Sequence, residues 1–172
     1  GITHQKSCTI NSDGSVSGSW SQALIKSDLE KYFGLGIVPI VSMVRCYNLK
    51  DGTLTEQAVK NFFTKVSSYI RDGKFCLVAF AWEFNFADGD EGWNNFKVDW
   101  RNYNRLMPMI RNVRDSLGLQ NKILLYCHAN LHVGTYGNGY TGLKGIQEYY
   151  DGFAQNDVFG VSHYYGYPKT SS

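Results

Sequence analysis

Phe75-Cys-Leu-Val-Ala-Phe-Ala-Trp82 is an almost entirely apolar stretch, and an acidic residue, Glu83, follows it directly. Three other runs, Ile37–Val44, Lys122–Cys127 and Val158–Val161, are also continuously apolar rather than alternating. Strands that are buried on both faces of a sheet have this character. The four runs therefore predict four strands of one buried sheet.

Segments with helical periodicity lie between these runs. Their apolar residues recur every third or fourth position, and a glycine closes several of them. An alternation of helices with strands implies a parallel sheet with right-handed crossovers. Helices are predicted from about Ser21 to Phe33, from near Thr55 to Gly73, from Trp100 to Gly118, and over a shorter stretch from Leu143 to Phe153.

Two stretches call for separate interpretation. Pro108 lies inside the helix that precedes Gly118, where it removes a backbone donor, so we expect a kink or a split into two pieces. The segment Asn11–Ser19 is rich in serine and glycine and is interpreted as a loop.

Two parallel architectures compete for this pattern. A doubly wound nucleotide-binding fold usually carries a glycine-rich turn after its first strand, but neither GxGxxG nor GxxxxGK[ST] occurs in the sequence. In a (β/α) barrel, polar and aromatic residues collect where the strands end, because the active site is built there. The predicted strand ends have this composition: Arg45-Cys-Tyr-Asn48, Trp82-Glu-Phe-Asn85, His128-Ala-Asn130 and Ser162-His-Tyr-Tyr165.

These strand ends favour an α/β fold of the (β/α) TIM-barrel type. About four strands cannot close a barrel, and an open parallel sheet would expose its edges. We therefore expect residues 1–172 to form a single, partial barrel domain, with about strands 3–6 and their helices, incomplete at both ends.

Composition narrows the range of partners. The net charge is +2 and basic residues are dispersed, which argues against nucleic-acid binding. No apolar stretch approaches the roughly 20 residues that span a bilayer. The first residues lack the apolar core of a signal peptide, which leaves a mature secreted protein or a chain whose true start is missing; we expect an extracellular protein. An aromatic fraction of 15% suits a sugar-binding cleft, although aromatic side chains also fill cores.

The four cysteines do not indicate the compartment. Cys76 and Cys127 lie in strand-like runs and are predicted to be free thiols, whereas a bridge between Cys8 and Cys46 stays open. His128 and His132 lie near Cys127, superficially like zinc ligands, but a third ligand is not suggested by the sequence. The acidic loop Asp88-Gly-Asp-Glu91 is interpreted as a solvated turn rather than a calcium site, so no metal or cofactor is predicted.

Glu83 is the best candidate for chemistry. A carboxyl group at the end of an apolar strand is partly desolvated, which raises its pKa toward that of a general acid. Glycoside hydrolysis needs such an acid together with a second carboxylate. The structural alternative is an ion pair between Glu83 and Arg45 across neighbouring strand ends.

Trp82-Glu-Phe-Asn85 resembles the strand-4 motif of clan A glycoside hydrolases, and is most similar to the His-Glu-Met-Asn segment of the family 26 mannanase and lichenase group. In that group the Glu is the acid/base, the Asn helps to shape the site, and a Trp-bearing loop follows, as Trp93 does here. Trp82 stands where the family has His. The helix from Trp100 to Arg114, the strand Asn121–Tyr126 and the segment Phe159–Tyr165 are also similar to that group. The resemblance implies a nucleophilic Glu at the end of strand 7, which would lie beyond Ser172.

The leading hypothesis is a retaining glycoside hydrolase that cleaves a β-linked polysaccharide or oligosaccharide, with Glu83 as general acid/base. The alternative is a non-catalytic secreted barrel that binds carbohydrate or serves assembly, since a fold does not imply a function. A nucleotide-binding α/β protein is disfavoured by the missing phosphate loop.

The sequence leaves the sugar, its linkage, endo or exo action and the oligomeric state open. Candidate substrate-binding residues are Arg45, Trp82, Asn85, Trp93, His128, Tyr164 and Tyr165.

Overall fold

The computed structural model describes residues 2–3, 7–18, 22–43, 45–81, 98–130 and 147–162. In chain order the elements are β1 (Ile2–Thr3), β2 (Ser7–Ile10), β3 (Val16–Gly18), α1 (Gln22–Gly34), β4 (Ile40–Ser42), β5 (Arg45–Cys46), α2 (Tyr47–Lys50), α3 (Glu56–Ser68), β6 (Cys76–Ala79), α4 (Trp100–Ser116), β7 (Ile123–Asn130), α5 (Tyr150–Phe153) and β8 (Val158–Ser162).

The main sheet is entirely parallel. Its five strands lie in the order β1-β4-β6-β7-β8, which is also their order along the chain. The four predicted strands are confirmed as β4, β6, β7 and β8, and the α/β class is confirmed with them. The fifth strand, β1, was not predicted because two residues are too few to carry a periodic signal.

The predicted helices are confirmed as α1, α3 and α4, and their ends follow local chemistry. The Thr55 side chain caps α3 by accepting a hydrogen bond from the Ala58 amide (3.2 Å). Gly118 follows α4 with a positive φ of 67°, which favours glycine. α3 ends at Ser68, earlier than predicted, and of the shorter helix only α5 lies among the described residues. Of the two outcomes predicted at Pro108, a kink or a split, the split does not occur, since α4 is one helix.

The interpretation of Asn11–Ser19 as a loop holds for residues 11–15 but was wrong for Val16–Gly18, which form β3. β2 and β3 form an antiparallel hairpin, in which the Asp13 carboxylate accepts hydrogen bonds from the Ser15 amide and hydroxyl. β2 also pairs in parallel with β5, which completes a second sheet of order β3-β2-β5. The serine and glycine content hid this hairpin, because turn residues and short exposed strands share that composition.

Three helices cover one face of the main sheet. Phe80, just after β6, makes edge-to-face contacts with Phe62 and Phe63 of α3 (ring centroids 5.9 and 5.8 Å). Phe159 of β8 stacks on Phe153 of α5 at 4.6 Å. α4 packs against both α3 and α5. The core lies under these helices, and alternate strand residues supply it. These include Val41, Cys76, Val78, Ile123, Leu125, Cys127 and Ala129.

The other residues of the same strands face away from the helices. They include Leu77 and Ala79 of β6 and Tyr126 and His128 of β7, which alternate with core residues along each strand. We call this side of the sheet the helix-free face. Toward the carboxyl ends of the strands, the helix-free face carries more polar side chains than the helix-covered face does.

An ion pair between Arg114 and Asp157 lies at the amino end of β7 and β8. Arg114, in the last turn of α4, is only 2% exposed, and its guanidinium contacts the carboxylate of Asp157. Arg114 also contacts Asp115 (2.7 Å) and donates to the Ile123 carbonyl (3.3 Å). The Asp157 carboxylate accepts a further hydrogen bond from the Leu125 amide (2.8 Å). Helix and strands are thereby joined at the end of the sheet opposite the predicted site.

Within the described ranges, no helix has both the length and the apolar character that crossing a membrane requires.

Candidate functional site

Most of the predicted site lies outside the described residues. Trp82, Glu83, Asn85 and Trp93 fall between the ranges 45–81 and 98–130, and Tyr164 with Tyr165 follows residue 162. The structure does describe His128 and the backbone of Arg45. The described part of the candidate site therefore consists of these residues and their neighbours at the carboxyl ends of the strands.

His128 lies on the helix-free face of β7, near the carboxyl end of that strand. Its neighbours Cys127 and Ala129 are buried in the core, so the alternation of the strand directs the imidazole to the opposite side. Its Nδ1 lies 2.7 Å from the hydroxyl oxygen of Tyr126, which is two residues earlier on the same face. The predicted residue thus has a partner that the sequence analysis missed.

Gly160 of β8 makes room for this pair. It lies opposite His128 in the parallel register. A Cβ atom at Gly160 would lie 2.0 Å from the Tyr126 hydroxyl oxygen and 2.8 Å from His128 Nδ1. Such contacts are far shorter than van der Waals distances allow. Any larger residue at position 160 would therefore displace the Tyr126–His128 pair.

Both members of the pair are neutral near pH 7. Burial lowers the pKa of His128, because desolvation disfavours the imidazolium ion. Burial also raises the pKa of Tyr126, and the neighbouring Cys127 adds to the effect. The pair therefore presents polar groups without a net charge.

Ser42 is a second polar group on the helix-free face. It is the last residue of β4, is fully buried, and lies opposite Ala79 of β6. Among the residues that the structure describes, its hydroxyl has no hydrogen-bond partner. Buried hydroxyls without a partner are uncommon in folded proteins. Ser42 was not predicted as a site residue, because it lies within an apolar run of the sequence.

One row of side chains links Ser42 to the pair. Ser42 lies beside Ala79, and the β6–β7 register brings Ala79 level with Tyr126. Ala79 is the only residue between them in this row, and its methyl group is small. A hydroxyl, a methyl group and a phenol therefore lie side by side on three neighbouring strands of the helix-free face.

Arg45 lies in β5, beyond the end of β4, with Ser7 as its strand partner. The segment that follows is fastened by Asn48, whose side-chain amide donates to the Ile10 carbonyl (2.7 Å) and accepts from the Ile10 amide (3.4 Å). Through these two hydrogen bonds, the Asn48 side chain continues the pairing of β2 with β5 beyond the last paired backbone residues. The predicted alternative, an ion pair of Arg45 with Glu83, involves a residue outside the described ranges.

All four cysteines are free and buried, which confirms the prediction for Cys76 and Cys127. Burial raises the pKa of each of these two thiols to about 12. Cys8 and Cys46 are strand partners, and no disulfide joins them. Their mutual hydrogen bond, together with burial, raises the pKa of Cys8. The Cys46 thiol in turn donates to the Asn48 side chain (3.3 Å).

The structure also argues against a zinc site that combines Cys127 with His128. Cys127 faces the core while His128 faces away from it, so the two side chains cannot share one ion. Throughout the part of the chain that the structure describes, no cluster of three or more His, Cys, Asp or Glu side chains could hold a metal.

No protein-family model, no curated protein and no solved structure matches this chain.

Proposed function

We propose that the chain is part of a (β/α)-barrel glycoside hydrolase that cleaves a β-linked polysaccharide, with Glu83 as general acid/base. The observation that carries the proposal is the winding of the sheet. Its parallel strands follow chain order without a reversal, and α3, α4 and α5 cover the same face. Barrels are wound in this way, whereas a doubly wound sheet reverses its strand order and carries helices on both faces.

In this proposal the helix-free face becomes the inner surface of the barrel. Active sites of such barrels lie at the carboxyl ends of the strands. Ser42, Tyr126 and His128 supply polar groups toward that end, on the inner side. Uncharged hydrogen-bonding groups of this kind suit the hydroxyl groups of a sugar better than they suit an anionic ligand.

The position of Glu83 in the sequence fits the same geometry. Glu83 follows Ala79, the last residue of β6, by four positions in the sequence. In this proposal it therefore belongs to the segment that comes after the carboxyl end of that strand. The resemblance of residues 82–85 to the family 26 motif gives Glu83 its proposed role.

Replacing Glu83 tests the assignment. In the full-length protein we expect Glu83→Gln to reduce hydrolysis of β-mannan or mixed-linkage β-glucan by about 10²–10⁴-fold, the usual contribution of a general acid. Reducing-sugar release would measure the loss, and circular dichroism would check that the fold is retained. Glu30→Gln, which removes an exposed carboxylate on α1, is the matched control and should keep full activity. Equal activity of the two variants would reject the role of Glu83.

A binding protein without catalysis is the second candidate. The polar groups that the structure describes on the helix-free face, Ser42, Tyr126 and His128, are uncharged. Such groups suit the binding of sugar hydroxyls, whereas hydrolysis also needs two carboxylates. Calorimetry with oligosaccharides would separate the candidates, because binding without any product over hours would support the binding protein.

A further inference from the structure

We infer that Cys8 and Cys46 are a modification site: they form a disulfide when the chain folds in the presence of a low-molecular-weight disulfide, and the bond ties β2 to β5. One cysteine thiolate attacks the reagent and releases its first thiol, and the second thiolate then attacks the mixed disulfide and releases the other thiol. Two cysteines are thereby oxidised, one reagent molecule is reduced to two thiols, and these thiols take up the two protons. The inference does not depend on the proposed function.

The strand pairing places the two cysteines directly opposite each other. In the parallel ladder of β2 with β5, Cys8 is the partner of Cys46. Neighbouring strands lie roughly 4.8 Å apart, and disulfides join residues whose Cα atoms are roughly 4.4–6.8 Å apart. Partners in a ladder point their side chains to the same face, and both cysteines are fully buried in one core. The pair therefore has the spacing and direction that a disulfide requires.

The surroundings of the two thiols hold them together. A hydrogen bond between the thiols is the largest cause of the raised pKa of Cys8, and burial adds to it. The Sγ atom of Cys46 also lies 3.3 Å from the side-chain oxygen of Asn48. Asn48 in turn donates to the Ile10 carbonyl of β2 (2.7 Å). Asn48 therefore keeps the segment that carries Cys46 against the strand that carries Cys8.

Formation of the bond requires a small movement of β5. The Cβ atoms of paired residues are separated by about the strand spacing, roughly 4.8 Å, whereas a disulfide needs roughly 3.5–4.5 Å. β5 has two residues and lies at one edge of the order β3-β2-β5. It can therefore approach β2 without displacing another strand of that sheet. Since strain makes a disulfide easier to reduce, we expect dithiothreitol to reverse the reaction.

Cys76 and Cys127 do not form a second pair of this kind. They lie on neighbouring strands, but the partner of Cys76 is Ile123, which precedes Cys127 by four residues. At about 3.3 Å per residue, the two cysteines are roughly 13 Å apart along the strands, and Cα atoms more than about 7 Å apart cannot be bridged. The inference therefore specifies one bond and two free thiols.

The bond would join two segments at the same end of the main sheet. β2 follows closely on β1, and β5 follows closely on β4. Because β1 and β4 are parallel neighbours, both segments come after the carboxyl ends of their strands. The loop closed by the bond contains β3, α1 and β4. Closing this loop restricts the unfolded chain, so the oxidised protein should be more stable than the reduced protein.

Burial determines when the bond can form. Both side chains are fully buried in the folded protein, whereas attack on a disulfide reagent requires an accessible thiolate. We therefore expect oxidation to occur while the chain folds, before β2 and β5 are covered. The experiment accordingly starts from the unfolded chain.

Peptide mapping tests the pairing. The full-length protein is unfolded in urea with dithiothreitol, refolded in a buffer of oxidised and reduced glutathione, alkylated with iodoacetamide and digested with trypsin. Trypsin cleaves after Lys and Arg, which separates the two cysteines into the peptides Ser7–Lys26 and Cys46–Lys50. Mass spectrometry should find these peptides joined, with Cys76 and Cys127 alkylated. Unlinked peptides that carry the alkyl group or glutathione, or a bond to Cys76 or Cys127 instead, would overturn the inference.

Two variants give a matched comparison, since each removes one fully buried thiol of a strand. Cys8→Ala should abolish the linked peptide, and Cys76→Ala should retain it. If Cys8→Ala does not fold, the peptide map of the unaltered protein decides alone. Thermal unfolding followed by circular dichroism should give the oxidised protein a Tm about 5–10 °C above that of the reduced protein. The difference should be absent in Cys8→Ala, and equal Tm values for the two forms of the unaltered protein would overturn the stabilising role of the bond.

Discussion

The two ends of the parallel sheet are built in opposite ways. At the amino end of β7 and β8, Arg114 is buried and contacts the carboxylates of Asp115 and Asp157. Toward the carboxyl end, Tyr126 and His128 are uncharged, and the Ser42 hydroxyl has no partner among the described residues. In the barrel proposed for this chain, the amino end would serve stability and the carboxyl end would serve function. Substitutions at the two ends should therefore affect different measurements.

The largest effect on stability is expected at the amino end. Asp157→Ala leaves the Arg114 guanidinium buried with one acidic partner fewer and removes the acceptor of the Leu125 amide. Because Arg114 keeps Asp115 as a partner, we expect a loss of about 2–3 kcal/mol of unfolding free energy, less than for a buried charge left without any partner. Urea denaturation followed by circular dichroism measures the loss.

The control for Asp157 is an ion pair at the surface. Asp72 lies 3.6 Å from Lys122 and is fully exposed. Asp72→Ala should leave the unfolding midpoint unchanged, because exposed pairs contribute little. Equal losses in the two aspartate variants would mean that the amino end has no special role in stability.

The next effect is a pH dependence from the carboxyl end. The pKa of His128 is lowered from 6.5 in the folded protein. As the pH falls below about 6.5, the unfolded chain takes up this proton more readily than the folded protein, so stability decreases. His128→Gln should remove this part of the decrease. Urea midpoints between pH 7.5 and pH 5 compare the two proteins, and parallel curves would show that His128 titrates normally.

The smallest effect concerns Ser42. Since its buried hydroxyl has no partner among the described residues, Ser42→Ala should leave the unfolding free energy unchanged or raise it by up to about 1 kcal/mol. Thr55→Ala, which removes a cap bond that the structure does describe, should instead lose about 1 kcal/mol. A loss at Ser42 as large as that at Thr55 would show that its hydroxyl bonds within the free protein.

Local patterns carried the prediction of the elements. The apolar runs identify four of the five main strands, because a strand buried on both faces shows its burial in consecutive residues. α3 and α4 were predicted from the spacing of residues such as Phe62, Phe63 and Ile110, all of which lie in the core. β1 and the β2–β3 hairpin were not predicted, since strands of two to four residues are too short to show a run of buried residues.

The candidate site was only partly accessible to the same reasoning. His128 was identified because it ends an apolar run, and the strand alternation of Tyr126 and His128 could have paired them. Ser42 and Gly160 gave no signal, because a serine or a glycine in a strand is locally unremarkable. The burial of Arg114 likewise gave no signal in the sequence, although this residue is only 2% exposed.

The sequence by itself determined the alternation of helices and strands, the apolar side of each element and the acidic residue after the central run. Tertiary structure alone decided which residues meet. The parallel register sets Gly160 against His128 and Ser42 against Ala79, across separations in the chain that no local pattern encodes. The physical reason is that periodicity depends on neighbouring residues, whereas register depends on the packing of whole strands against shared helices.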